Sequence, residues 1–270
     1  MQEDQILKTR LKVQDRDGVK DLLSFWDVWE KDAEFRSIIT SAADPNEEKW
    51  KCQRTHNYKI ATTFMPGYAK AIYEHYQAQS GLPVIAGWNV LDPCAGWGDR
   101  LVGAASSSIV TKYVCFDPNT TLRPGYAALM KLYGHACTEV GPQGLKFSNG
   151  FECRTQPFEV GALALPDNSF DVVFTSPPFF DYEMYNPDNP QYVDWIKEFY
   201  VPLFVQACRC VKPGHHVCIH IGDTSAGNIE KFLKTEVQRI CSLKLVSRVG
   251  LHGMMSQKTR TVWIFQKKKL

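Results

Sequence analysis

From Trp88 onward, short apolar runs alternate with segments of helical period, and this alternation most constrains what the chain can fold into. WNVLD precedes DRLVGAA, KYVCFD precedes RPGYAALMKLYG, and LKFSNG and FDVVFT follow. A long helical stretch from Tyr192 to Val211 leads to HHVCIHIGD, a helix near Ile229 to Arg239, KLVSRVGL and TVWIFQ. Nearly continuous apolar runs are strands buried on both faces, and their alternation with helices implies a mostly parallel sheet covered on both sides. The pattern predicts an α/β domain of the Rossmann-like, doubly wound type. Only HGMMSQKTR separates the last two runs, so they are expected to form an antiparallel pair at the edge of the sheet.

Residues 1–60 have a different texture. They are charge-rich, hold three of the seven tryptophans (Trp26, Trp29 and Trp50) and lack strand-like runs. Within Asp21–Phe35, Leu22, Phe25, Trp26 and Trp29 recur at three- and four-residue steps, which predicts an amphipathic helix. Pro66 to Gln77 predicts another, with proline at its start and Ala69, Ile72 and Tyr73 on one side. The expected organisation is a helical N-terminal extension over residues 1–60 and one α/β domain over residues 61–270.

Bulk properties exclude several classes. A formal net charge of +2 over 270 residues means that any basic surface is local. The opening MQEDQILKTR is unlike a secretory signal, and no apolar run approaches the roughly 20 residues that span a bilayer. Nine scattered cysteines contain no C-x-x-C pair, so no metal site is expected. His215 and His216 precede an apolar run and read as strand-start residues rather than ligands. An intracellular protein, cytoplasmic or nuclear, with free thiols and no membrane association is expected.

Two loops carry the chemistry. In VLDPCAGWGDRL a strand ends in Asp92 and turns through Gly96 and Gly98 into a helix, but Leu101 stands where a dinucleotide fingerprint has its third glycine. Asp92 and Asp99 would repel the pyrophosphate of a dinucleotide. They suit a nucleoside that carries an amino-acid tail and a positive centre, such as S-adenosylmethionine. The next strand ends at Asp117, 19 residues beyond Gly98, near the roughly 20-residue offset at which an acid bonds ribose hydroxyls.

The second loop is Ser176-Pro177-Pro178-Phe179, which follows FDVVFT. Ligands of doubly wound sheets sit beyond the carboxyl ends of the strands. If this strand neighbours Val90–Asp92, the two tips stand about 5 Å apart. An exocyclic amine is a poor nucleophile because its lone pair is delocalised into the base. Acceptors on its two hydrogens draw the nitrogen toward tetrahedral geometry, and a serine hydroxyl and a proline-turn carbonyl can supply them. The fixed φ of proline holds that carbonyl still, and Phe179 offers a ring on which a base can stack. The methylated ammonium sheds its proton readily, so no histidine is assigned to the chemistry.

Taken together, LDPCAGWGD and TSPPF resemble the S-adenosylmethionine-dependent nucleic-acid amino-methyltransferases, which join a D-P-x-x-G-x-G donor loop to an Asp/Asn/Ser-Pro-Pro-aromatic motif. ATTFMPGYAKAIYEHY resembles that family's upstream F-x-P segment and helix, and SNGFEC its third-strand motif. FYVPLFVQACRCVKPGHHVCIHIGD resembles its helix, Lys-Pro-Gly turn and fifth strand, so the likeness spans about residues 60–266. The resemblance implies donor contacts from Thr63, Phe64, Pro66, Asp92, Pro93, Cys94, Ala95, Gly96, Gly98, Asp117, Phe151 and Glu152. It implies catalysis by Ser176, Pro177, Pro178 and Phe179, with Phe180, Asp181 and Tyr182 lining the base pocket. Trp97 departs from the serine common in the family, and Cys94 from the phenylalanine.

The implied partner is nucleic acid, DNA or RNA. No large sequence-reading domain is expected from the spacing of the motifs, so target contacts are expected to fall to the N-terminal region, a protein partner or a homodimer. A serine lead is more usual for the 4-amino group of cytosine than for the 6-amino group of adenine. Alternatives are adenine methylation, a non-catalytic donor-binding subunit, methylation of a protein amide or small amine, and nicotinamide oxidoreduction. The basic and aromatic residues of Trp50 to Lys59 could follow a phosphate backbone or form a solvated linker.

Overall fold

The computed structural model describes residues 11–15, 18–22, 31, 33–41, 64–80, 87–180, 192–224, 227–252 and 259–269. The chain divides into two compact units, one of Met1–Thr63, Phe179–Pro190 and Thr224–Gly227, the other of Phe64–Pro178, Gln191–Asp223 and Asn228–Leu270.

In the first unit, β1 (Leu11–Asp15) and β2 (Gly18–Leu22) pair antiparallel, with Leu11 opposite Leu22 and Asp15 opposite Gly18. A helix, α1, covers Ala33–Ser41. The expectation that this region lacks strands is therefore corrected. Only Arg16 and Asp17 separate LKVQD from GVKDL, the two-residue spacing of a tight hairpin, and that short-range pairing outweighs the helical spacing beginning at Asp21. Asp21 and Leu22 belong to β2, while Phe25, Trp26, Trp29 and the Trp50–Lys59 stretch lie outside the described residues.

The second unit is built on a nine-stranded sheet among the described residues. Its strands are β3 (Trp88–Asp92), β4 (Val110–Phe116), β5 (Cys137–Gly141), β6 (Gly144–Phe147) and β7 (Phe151–Arg154), followed by β8 (Phe170–Thr175), β9 (Val211–His220), β10 (Leu243–His252) and β11 (Thr259–Lys267). They lie in the order β10-β11-β9-β8-β3-β4-β7-β6-β5. Neighbours from β9 through β8, β3 and β4 to β7 are parallel. The sheet is thus the expected mostly parallel one. β10 and β11 do pair antiparallel, with β11 one place in from the edge between β9 and β10. A second antiparallel pair, β5 and β6, closes the other edge, which the single run LKFSNG did not foretell.

Flanking helices are α2 (Pro66–Gln79), α3 (Asp99–Ala105), α4 (Arg123–Leu132) and α5 (Phe158–Gly161). After them come α6 (Tyr192–Trp195), α7 (Val201–Cys210), α8 (Ile229–Thr235) and α9 (Val237–Ile240). The central strands supply the core, and every residue of β8 is buried. α2 buries Ala69, Ile72, Tyr73, Tyr76 and Gln77, the stripe that its helical period requires. Between α6 and α7 the turn Ile196–Tyr200 is π-helical. Pro202, just beyond it, has no N–H to donate to the carbonyl four residues back, and widened turns commonly have such a cause. No described helix is long and apolar enough to cross a membrane.

α2 and α3 meet at Gly103, where an added Cβ would stand 2.7 Å from the Ala69 Cβ and 2.8 Å from the Pro66 carbonyl oxygen. Gly103→Val should therefore force the helices apart and destabilise the fold by about 1–3 kcal/mol, seen as a lower urea midpoint. Gly67→Ala, whose Cβ meets nothing within 4 Å, should leave the midpoint nearly unchanged.

Candidate active site

The tips of β3 and β8 lie side by side, with Val90 opposite Val172 and Leu91 opposite Val173. Past these tips run the Asp92–Gly98 loop and the Ser176-Pro177-Pro178 turn. A direct hydrogen bond joins them: the Cys94 N–H donates to Thr175 Oγ1 at 2.9 Å. The two motifs, 81 residues apart in sequence at that bond, are thus fixed against each other by the last residue of a buried strand.

Asp92 is the centre of the first loop and is 0 % exposed. Its carboxylate accepts from Arg100 Nε at 2.9 Å, the Tyr113 hydroxyl at 2.8 Å and the Cys94 N–H at 3.2 Å. Arg100 also donates to the Cys94 carbonyl, so the guanidinium bridges the strand end and the loop that leaves it. Burial, reinforced by the Asp92 charge, pushes the Tyr113 phenol well above its usual range. Asp92 therefore holds the loop from inside, and other residues form its outer surface.

Gly96 and Gly98 make the turn, with φ of +56° and +91°. A Cβ on Gly96 would meet open space, whereas one on Gly98 would approach Leu129 Cδ1 to 3.1 Å and Tyr126 to 3.3 Å. Gly98 is needed for helix packing as well as for its left-handed backbone. The Ala95 N–H donates to the Phe116 carbonyl at 2.8 Å and the Tyr126 hydroxyl to the Gly96 carbonyl at 2.5 Å, tying the loop to β4 and α4.

Asp117 follows β4 directly. One carboxylate oxygen accepts from the Gly96 N–H and the other from the Asn119 N–H, both at 2.9 Å. It thus caps its own turn, as an Asx residue can, and also braces the glycine loop. Burial pushes its carboxyl up to about 6 despite those two bonds. Asp99 is likewise pushed up to about 6 by burial, partly offset by Arg100. Three carboxylates (Asp92, Asp99 and Asp117) stand about the Arg100 guanidinium, while the nearby Arg154 is paired with Glu152. That balance fits a ligand with a cationic end and opposes a pyrophosphate.

The second loop is equally well held. Ser176 Oγ lies 2.9 Å from His220 Nδ1, and the Tyr200 hydroxyl donates to the Pro178 carbonyl at 3.0 Å. Tyr200 ends the π-helical turn, and His220 ends β9, where Thr175 pairs with the adjacent Ile219. The Phe64 ring stands edge-on to His220 at 5.1 Å and to Phe174 at 5.5 Å, with the Arg100 guanidinium 5.8 Å from its centre.

Of the residues singled out in the sequence, Phe64, Asp92, Cys94 to Gly98, Asp117 and Ser176 to Pro178 meet at this end of the sheet. Pro66 opens α2 two residues after Phe64, and Pro93, within the loop, is buried. Phe151 is not brought there. It opens β7 opposite Tyr113, 2 % exposed, so that Arg154 occupies the carboxyl end. Glu152 pairs with Arg154 at 3.0 Å. Phe179 and Phe180 are half-buried members of the first unit, and Thr63, Asp181 and Tyr182 lie outside the described residues. His215 Nδ1 lies 2.9 Å from the Asp171 carbonyl, and burial pushes His216 down to about 4. Among the described residues no cluster of His, Cys, Asp or Glu is arranged to hold a metal.

Four supporting residues escaped the sequence reading: Arg100, Thr175, Tyr200 and His220. Only His220 left a signal. It closes the apolar run VCIH at the carboxyl end of a strand, where ligand-facing groups of such sheets collect.

No family model and no curated protein matches the sequence. Solved structures with a similar fold include tRNA (m1A58) methyltransferase TrmI from Aquifex aeolicus, at TM-score 0.48 and 12% identity over 78% of this chain and 72% of that one. TrmN from Thermus thermophilus aligns at TM-score 0.47 and 16% identity over 75% of this chain, which spans about half (48%) of that one. The [4+2]-cyclase SpnF aligns at TM-score 0.48 and 11% identity, over 74% of this chain and 81% of that one. What is shared with them is the fold.

Removing one member of the buried ion pair should expose its importance. Arg100→Met leaves the Asp92 carboxylate without its cation and should cost about 3–5 kcal/mol in urea unfolding at neutral pH. Lys146→Met, which breaks the exposed pair with Glu139, should leave the urea midpoint nearly unchanged.

Proposed function

We propose that the chain transfers a methyl group from S-adenosylmethionine to an exocyclic amine of a nucleobase in nucleic acid, with the 4-amino group of cytosine in DNA as the favoured acceptor. The observation that carries this reading is the bond between Cys94 N–H and Thr175 Oγ1. It holds an acidic glycine loop suited to a cationic nucleoside beside a turn whose exposed chemistry is acceptor chemistry.

Asp117, Gly96 and Asp99 are the groups that would hold the donor: the carboxylate of Asp117 for hydroxyls, the glycine backbone for close approach, and Asp99 for positive charge. S-adenosylmethionine, when bound, supplies an electrophilic methyl group. At the turn, Ser176 Oγ and a proline carbonyl accept from the two N–H groups of the amine. Tyr200 holds the Pro178 end of that turn through its hydroxyl. Preorganised acceptors of this kind act mainly on the transition state, where the nitrogen departs from planarity. In a duplex the target base would leave its stack to reach them.

Mixed DNA and RNA pools incubated with labelled donor, followed by mass spectrometry of the nucleosides, test the reading. Label on cytosine N4 is the expected result, label on adenine N6 moves the assignment to that base, and no incorporation overturns it. Ser176→Ala should lower kcat on the order of 10²-fold with donor affinity unchanged.

Donor affinity should also depend on pH. An acid whose pKa is raised from 3.8 to about 6 keeps its proton in the folded chain where the unfolded chain has lost it. Its contribution to stability therefore declines as pH rises from about 4 to about 6 and is smallest above that range. Above pH 6 both carboxylates are charged and able to receive a cationic, hydroxyl-bearing ligand. Titration calorimetry should show binding weaken as pH falls through about 6, and Asp117→Asn should flatten that dependence.

A further inference from the structure

His220 is 6 % exposed, closes β9, and directs Nδ1 to within 2.9 Å of Ser176 Oγ. Resting on the methyl-transfer reading, the donor count at this serine decides what the contact is for. A primary amine bound through its hydrogens offers only N–H groups to its acceptors. A hydroxyl has one hydrogen and two lone pairs. If Ser176 Oγ is to accept from the amine, its own hydrogen must point elsewhere, toward an acceptor. His220 Nδ1 lies at the right distance to be that acceptor.

We infer that His220 is the positioning residue for Ser176: its neutral ring accepts the serine O–H at Nδ1, aims the oxygen lone pairs at the amine, and takes up the reaction's proton through the serine. In the proton step an N–H bond of the methylated ammonium breaks and its electron pair stays on nitrogen. The proton forms a new O–H bond at Ser176 while the serine's former hydrogen passes to Nδ1. The product amine is neutral, the serine is restored, and the imidazolium returns the proton to water. Donating to His220 also makes Oγ a better acceptor, because linked hydrogen bonds polarise one another. Phe64, edge-on to the imidazole at 5.1 Å, and the strand pairing beneath hold the ring in place.

The ligand-free full-length protein gives a readout independent of activity. In long-range ¹H–¹⁵N spectra, Nδ1 of His220 should resonate as an unprotonated acceptor nitrogen and should shift in Ser176→Ala. A protonated Nδ1, or a signal indifferent to the serine, overturns the assignment whether or not methyl transfer occurs. Wild-type protein that gives this spectrum yet methylates no nucleic acid would instead refute the methyl-transfer reading alone.

In turnover, His220→Ala should lower kcat on the order of 10²-fold while donor affinity, which also reports folding, stays the same. His220→Asn, whose amide oxygen can accept from the hydroxyl but cannot take its proton, should recover part of that loss. The double variant with Ser176→Ala should be no slower than Ser176→Ala alone, because the histidine acts through the serine. Asparagine no better than alanine, or losses that simply multiply in the double variant, would overturn the inference. Should His220→Ala fail to fold, the asparagine variant and the spectrum carry the test.

Discussion

The buried ion pair between Asp92 and Arg100 is the interaction on which this end of the sheet depends. A carboxylate with no exposed surface would be heavily penalised by desolvation. Here it receives a guanidinium, a phenol and a backbone N–H, which together give both its oxygens a partner. Arg100 cannot shed its proton and presents several donors in a fixed plane, so it can bind the acid and the Cys94 carbonyl together. The result is a loop whose inner side is locked by charge and whose outer side presents glycine backbone. Tyr73 adds to the enclosure by donating to the Arg100 carbonyl at 3.3 Å.

Around that centre, each loop is fixed by an element that arrives from elsewhere in the chain. Thr175 from β8 holds Cys94, Asp117 just beyond β4 holds Gly96, His220 from β9 lies against Ser176, and Tyr200 from the π-helical turn holds Pro178. Loops normally carry the freedom of their exposed backbone. These have most of their polar groups committed to rigid neighbours, the preorganisation that acceptor-based chemistry requires. The cost lies in the raised pKa values of Asp99 and Asp117, which are kept partly dry so that they border the site.

Much of the second unit was legible because the central parallel strands β3, β4, β8 and β9 announced themselves by a local rule. FDVVFT is apolar throughout and is buried throughout, and α2 shows its apolar stripe at helical spacing. Where two local rules competed, the reading failed. LKVQD and GVKDL, two residues apart in sequence, pair as a hairpin, although helical spacing began at Asp21. Phe151 carried a motif likeness, yet β7 begins at that residue, which buries its ring beneath the carboxyl end of the sheet.

Sequence by itself determined the strand–helix alternation, and with it the parallel sheet and the end at which its loops gather. It also determined the residue types of both loops, because the glycines and prolines act within a few positions of one another. Only the tertiary structure decided that Asp92 faces inward to Arg100 rather than outward, and that a histidine 44 residues beyond Ser176 stands against its hydroxyl. The physical reason is range: turns and periodicity are set by neighbours along the chain, whereas the partner of a buried charge or hydroxyl is set by which strands lie side by side.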